Sequence, residues 1–189
     1  MLKENAITKT KNILIEYLRA FLSNPNNYLN ITNVDFSKTQ IYDKEPNELR
    51  TLPAILISAI NGNFISSGIG DVTEELTDEY GKTIGIRYSG MFELPVTIEI
   101  ATKTTTERDL MTDLISLALR VLLKRHLESR GIIIKDMRFG GETEIQYDSD
   151  KIYISSLNFT TWSEWYRDVS LLPLVGIDLD LDYKNNNYK

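Results

Sequence analysis

The stretch Phe92–Ile115, FELPVTIEIATKTTTERDLMTDLI, changes its hydrophobic period halfway along, and few folds can accommodate such a change. Phe92, Leu94, Val96, Ile98 and Ile100 alternate with Glu93, Pro95, Thr97, Glu99 and Ala101. That is the repeat of a strand with one core face and one polar face. Pro95 supplies no N–H to a ladder, so the strand is expected at a sheet edge or with a bulge at that point. After Lys103 the repeat becomes helical. Thr104 and Glu107 have capping-box spacing, in which the hydroxyl accepts from the third amide and the carboxylate reaches back to the cap amide, a cap worth about 1 kcal/mol. Glu107 and Asp109 suit the positive end of the helix dipole, Lys124, Arg125 and Arg130 the negative end, and Gly131 can take a left-handed stop. The joint therefore has a complete structural explanation without any catalysis.

The helix that follows, roughly 105–130, is polar along one narrow stripe, Ser116, Arg120, Lys124 and Glu128, and apolar almost everywhere else. A helix packed only on a sheet needs an apolar stripe of about 100°. This one is wider, so a first helix or a neighbouring subunit must cover the remainder. Residues 5–22 read as that first helix, with Leu14, Leu18 and Phe21 in phase and Asn24-Pro25 as its stop. LPAILISAI, 52–60, reads as a central strand buried on both faces. Residues 61–90 begin with a glycine-rich run and read as a hairpin excursion. Ile132–Phe139, Gly140-Gly141 and Glu142–Tyr147 read as a hairpin with a two-residue turn. DSD at 148–150 makes the next turn, and a long aromatic strand follows from Lys151 to about Arg167. VGIDLDLDY places Ile177, Leu179 and Leu181 on one face and Asp178, Asp180 and Asp182 on the other; 183–189 reads as a flexible polar tail.

At 189 residues the chain is one domain's length, and 42% hydrophobic with 25% charged residues describes a folded protein with one sizeable core. The absence of cysteine removes disulfides, thiol catalysis and cysteine-bound metal. A net charge of −6 and a pI near 4.9, with no lysine or arginine run, argue against binding nucleic acid by neutralising phosphates. The amino-terminal residues fit neither a signal peptide nor a membrane span.

No reacting constellation is legible. The one histidine, His126, sits near the end of the long helix, where a surface residue complementing the dipole is the better reading than a ligand or base. Gly62, Gly68 and Gly70 match no dinucleotide or phosphate loop. Glu93 and Glu99 lie about 20 Å apart on an extended chain, too far for paired carboxylate chemistry. The Asp178, Asp180 and Asp182 row, with spacings of about 7 Å, could offer at most two ligands to calcium, and reads better as a solvated face or a charged guard on an edge strand. Trp162 and Trp165, three apart on a strand, should face opposite ways, one in the core and one available as an interface anchor, although both could be core. No cofactor or metal is expected.

The order of elements resembles that of the tail terminator, or tail completion, proteins of tailed bacteriophages. The resemblance is carried by Tyr88 to about Leu123, particularly Val96–Ala101 followed by Thr106-Glu107-Arg108-Asp109, with YISSLNFTTWSEWY as a second match, and extends in order and texture over most of the chain. It implies an α+β subunit with a mixed, largely antiparallel sheet and two main helices on one face, a single domain assembling into a hexameric ring. Such a ring is a non-enzymatic virion component at the junction of tail and neck, assembled in the host cytoplasm. Its partners would be copies of itself, the tail tube protein, the neck or head-completion protein and, in contractile tails, the sheath. DNA would pass through without specific binding, and no membrane is involved. Under this resemblance Pro95, Trp162, Trp165, Asp178, Asp180 and Asp182 are candidate contacts to neighbouring subunits or the tube. The alternatives are a different head-to-tail joining protein, or a small-ligand binder or enzyme without a recognisable motif.

Overall fold

The computed structural model describes residues 6–25, 35–43, 51–66, 72–147 and 150–170. Its elements are α1 (Ala6–Ser23), β1 (Gln40–Tyr42), β2 (Ala54–Ala59), β3 (Asn63–Ser66), β4 (Val72–Thr77), β5 (Thr83–Thr102), α2 (Thr105–Leu117), a π-helical turn (Ala118–Leu122), α3 (Lys124–Ser129), β6 (Ile132–Tyr147) and β7 (Asp150–Ser170). The fold is α+β: a mixed, mostly antiparallel sheet carrying two substantial helical rods on one face.

The alternating segment is the second half of β5, a strand of 20 residues around which the sheet is built. β7 runs along one side of it, and β2, β3 and β4 lie end to end along the other. The order across the sheet is β1-β2-β5-β7-β6, and among the described strands only β1 and β2 are parallel. Phe92, Leu94, Val96, Ile98 and Ile100 are buried, as are Leu157 and Phe159 of β7, Ile55 and Ile57 of β2, Leu14, Leu18 and Phe21 of α1, and Met111, Ile115 and Leu119 from the second rod. Removing this much apolar surface from water is the main stabilising term, at about 25 cal/mol per Å².

Four expectations need correction, the first in one of its two forms. Pro95 is not on an edge strand, because β5 has neighbours on both sides, but the expected irregularity is there: Ala59 to Asn63 sets one extra residue against Val96 to Glu93. Its carbonyl accepts from Ile60 N at 3.4 Å, and the missing N–H points the same way, into the gap between the end of β2 and the start of β3. β2 is central but not buried on both faces: Ile55 and Ile57 are enclosed, whereas Leu56 and Ser58 are only half covered on the face without helices. The second helix is not continuous over 105–130. Leu123 N bonds back five residues to Ala118 O at 2.7 Å, and this π turn shifts the phase of α3 relative to α2.

The fourth concerns Gly140-Gly141, which do not make a hairpin turn. β6 runs through them as one strand of 16 residues, and its register against β7 slips between Lys135 and Arg138 and again between Phe139 and Glu142. Each slip sets one extra residue of β6 against β7, which is a β-bulge. Asp136 takes a positive φ of 52° in the first. At the second, a Cβ on Gly140 would lie 2.0 Å from Ser156 Oγ and 2.7 Å from Asn158 Nδ2, so these side chains of β7 close over the glycine and would have to move for any larger residue. The β6–β7 connection instead falls between Tyr147 and Asp150, at the expected DSD.

Candidate assembly surfaces

The joint between β5 and α2 is built as a corner. Thr104 has extended backbone angles, and its Oγ1 accepts from Glu107 N at 3.2 Å. Thr102 donates to the Thr104 carbonyl at 2.8 Å. The return bond expected from the Glu107 carboxylate is not formed, so Glu107 acts on the helix dipole alone. The residue that sequence reasoning missed is Arg108. Its guanidinium is buried, 2.7 Å from Asp109 Oδ1 and 2.8 Å from Glu142 Oε2, tying α2 to β6. The bond to Asp109 chiefly holds Arg108 charged, raising its pKa against the opposing effect of desolvation. Below it, Thr112 donates to the Arg108 carbonyl at 2.7 Å and meets Ser155 Oγ at 2.6 Å, which closes the helix onto β7.

The face of the sheet away from the helices is polar and open. Glu93, Pro95, Thr97 and Glu99 stand opposite Trp162, Thr160, Asn158 and Ser156 in register. Thr97 Oγ1 donates to Asn158 Oδ1 at 2.8 Å. Trp162 is half-buried here, its Nε1 3.4 Å from Glu93 Oε1 and its ring 3.3 Å below Lys135 Nζ, a cation–π contact across strands. The structure thus brings Trp162 and the exposed Pro95 onto one face. Trp165 lies opposite Gly90 in the ladder, and its side chain is outside the described residues, as are Asp178, Asp180, Asp182 and the 183–189 tail.

Both ends of the sheet run beyond the helices. At one end β4, β5 and β7 continue past the start of β6, held by Arg87, which bonds Asp168 at 2.7 Å and Glu74 at 2.8 Å. The described part of the expected 61–90 excursion forms β3, β4 and the first part of β5, with a hairpin turn at Asp78–Lys82 in which Gly81 takes φ +78°. This end exposes Tyr80 (86%), Ile84 and Val169. At the other end β6 and β7 continue past Thr102 of β5 and expose Ile145 on the open face, while the exposed Phe139 (59%) lies further in, opposite Leu157 and beside α2. On the helical side Leu117 and Val121 remain exposed, the residue of apolar surface that the sheet and α1 leave uncovered. His126 is exposed and stacks on Tyr17 of α1, with ring centroids 6.1 Å apart, while Arg130 reaches Glu16 at 3.6 Å. Gly131 takes φ +77°, the left-handed stop.

Among the described residues lie open grooves: one of about 210 Å³ under the free edge of β6, one of about 220 Å³ between α2 and the second bulge, and one of about 520 Å³ around Arg130, Ile133 and Glu164. Among the described residues no set of three or more His, Asp or Glu side chains converges as a metal site, and no helix is long and apolar enough to cross a membrane. No model of a known protein family matches the sequence, and no curated protein matches it.

Proposed function

We propose that this protein is a structural subunit of a tailed bacteriophage, a tail terminator whose copies close into a ring over the end of the tail tube and join it to the neck. What carries the reading, beside the resemblance in element order, is the sheet with two unlike, partly apolar ends projecting in opposite directions. A ring needs a heterologous contact in which one patch of each copy meets a different patch of the next. Tyr80, Ile84 and Val169 at one end, and Ile145 on the open face at the other, supply two such surfaces. The acidic balance, with net charge −6, suits a passage through which DNA slides without being gripped.

Light scattering and negative-stain images of the purified full chain test this. The expected result is sixfold rings with an axial hole that bind the ends of isolated tail tubes. A chain that stays monomeric at high concentration, and also when mixed with tubes, sinks the reading.

A further inference from the structure

Among the described residues the outer edge of β6 has no strand partner. Its two sides differ. On the open face of the sheet it presents Lys135 and the exposed Arg138, with the exposed Asp136 in the bulge between them; on the helix side it presents Ile134, Met137 and Phe139. Beneath that edge lies the groove of about 210 Å³, with Leu119, Leu127, Ile134 and Met137 in its lining and Arg120 and Lys124 at its rim. The sequence holds one segment with the complementary pattern. Ile177, Leu179 and Leu181 alternate with Asp178, Asp180 and Asp182.

We propose that residues 177–182 of one subunit add as a strand to the free edge of β6 in the next subunit, placing the aspartates against Lys135 and Arg138 and the aliphatic side chains over the groove. This deepens the ring reading and rests on it. Strand addition satisfies the unpaired backbone groups of an edge, and alternate side chains give it specificity. Like charge disfavours the edge of β4, where Glu74 and Glu75 are exposed.

Pairing with the neighbour's β6, rather than the subunit's own, is what would make the contact part of a ring. β7 ends at Ser170, whereas Lys135 stands opposite Thr160, about 33 Å back along the strand, so the same chain could reach it only through a very short reversal.

The test uses two full-length charge-reversed variants, Asp178→Lys/Asp180→Lys/Asp182→Lys and Lys135→Glu/Arg138→Glu, each checked by thermal melting for an intact fold. Each alone is expected to lower the assembled fraction at least tenfold by light scattering. Both sets combined in one chain should restore assembly. So should an equimolar mixture of the two variants, because each tail then meets an oppositely charged edge on its neighbour in an alternating, even-membered ring. Unchanged assembly of either variant overturns the proposal, as does a mixture that stays dissociated. If the parent chain forms rings and the variants do too, strand exchange alone fails. If the parent never assembles, the ring reading fails with it.

Discussion

The buried Arg108 gives a prediction with an unusual order of effects. Its guanidinium is only 9% exposed, but its partners are not buried: the Asp109 side chain is 59% exposed and that of Glu142 64%. Replacing Arg108 by Met keeps most of the stem packing and releases two carboxylates that water solvates at once. The expected cost is below about 1 kcal/mol, because the charges left behind are solvated and not buried. Replacing both carboxylates, Asp109→Asn with Glu142→Gln, leaves a nearly buried cation with neutral partners. Hydrogen bonds to charged groups contribute about 1.5–3 kcal/mol and neutral ones about 0.5–1.5, so two such changes cost about 2 kcal/mol. This is well short of the roughly 3–5 kcal/mol seen for deeply buried pairs, because solvent reaches both carboxylates and screens the site. For a chain of this length, 2 kcal/mol lowers Tm by roughly 4–8 °C. Thermal and urea unfolding, at a concentration where light scattering shows identical assembly states, measures the difference. If Arg108→Met costs as much as the double carboxylate variant, the asymmetry argument is wrong.

Three further changes follow from the same structure. Thr104→Ala removes the oxygen that holds Glu107 N and should cost about 1 kcal/mol in urea unfolding, with Thr104→Ser close to the parent. Leu94→Ala opens a cavity at a fully buried position of β5 and should cost about 2–5 kcal/mol in the same measurement. Gly140→Val drives a side chain into Ser156 and Asn158 and should destabilise by about 1–3 kcal/mol, with faster amide exchange confined to β6 and the facing part of β7; Gly141→Val, where nothing lies within 4 Å of the added Cβ, should be milder.

What could be read in advance follows the range of the forces involved. The alternation of Phe92–Ile100, the Thr104 cap and the Gly131 stop depend on neighbours a few residues away, and these formed as expected apart from the carboxylate half of the box. Pro95 leaves an edge and a bulge equally open, because the irregularity that accommodates it lies between β2 and β3, which no residue near Pro95 encodes. Gly140-Gly141 satisfies a turn rule, yet neither glycine takes a positive φ in β6; what sets Gly140 apart is the approach of Ser156 and Asn158, far along the chain. The π turn was hidden because the apolar pattern of 105–130 is wide enough to fit either phase. Arg108 left one legible trace, a charge on the buried face of α2 at helical spacing from Met111 and Thr112, but its partner Glu142 lies far along the chain.

The lengths of β5 and β7 bear on the proposed assembly. Ordering each residue costs about 1–2 kcal/mol of backbone entropy, and core burial offsets that cost over the middle of the sheet, around Phe92–Ile100 and Leu157–Phe159. β7 has 21 residues, and its ends lie outside that region. Past Thr102 only β6 and β7 remain paired, and an isolated pair of strands is marginal in water. Past the start of β6 the ladder has three strands and an Arg87 cluster at the surface, where ion pairs contribute little. Strands held at full length with so little burial of their own are stabilised best by burial against something else, and their exposed Ile84, Val169 and Ile145 are the groups such a contact would cover. Ordering of both ends should therefore increase on assembly. Amide exchange in the monomeric charge-reversed variants should be fast at residues 83–88 and 143–146 and slow in the core of β5, whereas in rings both ends should become protected.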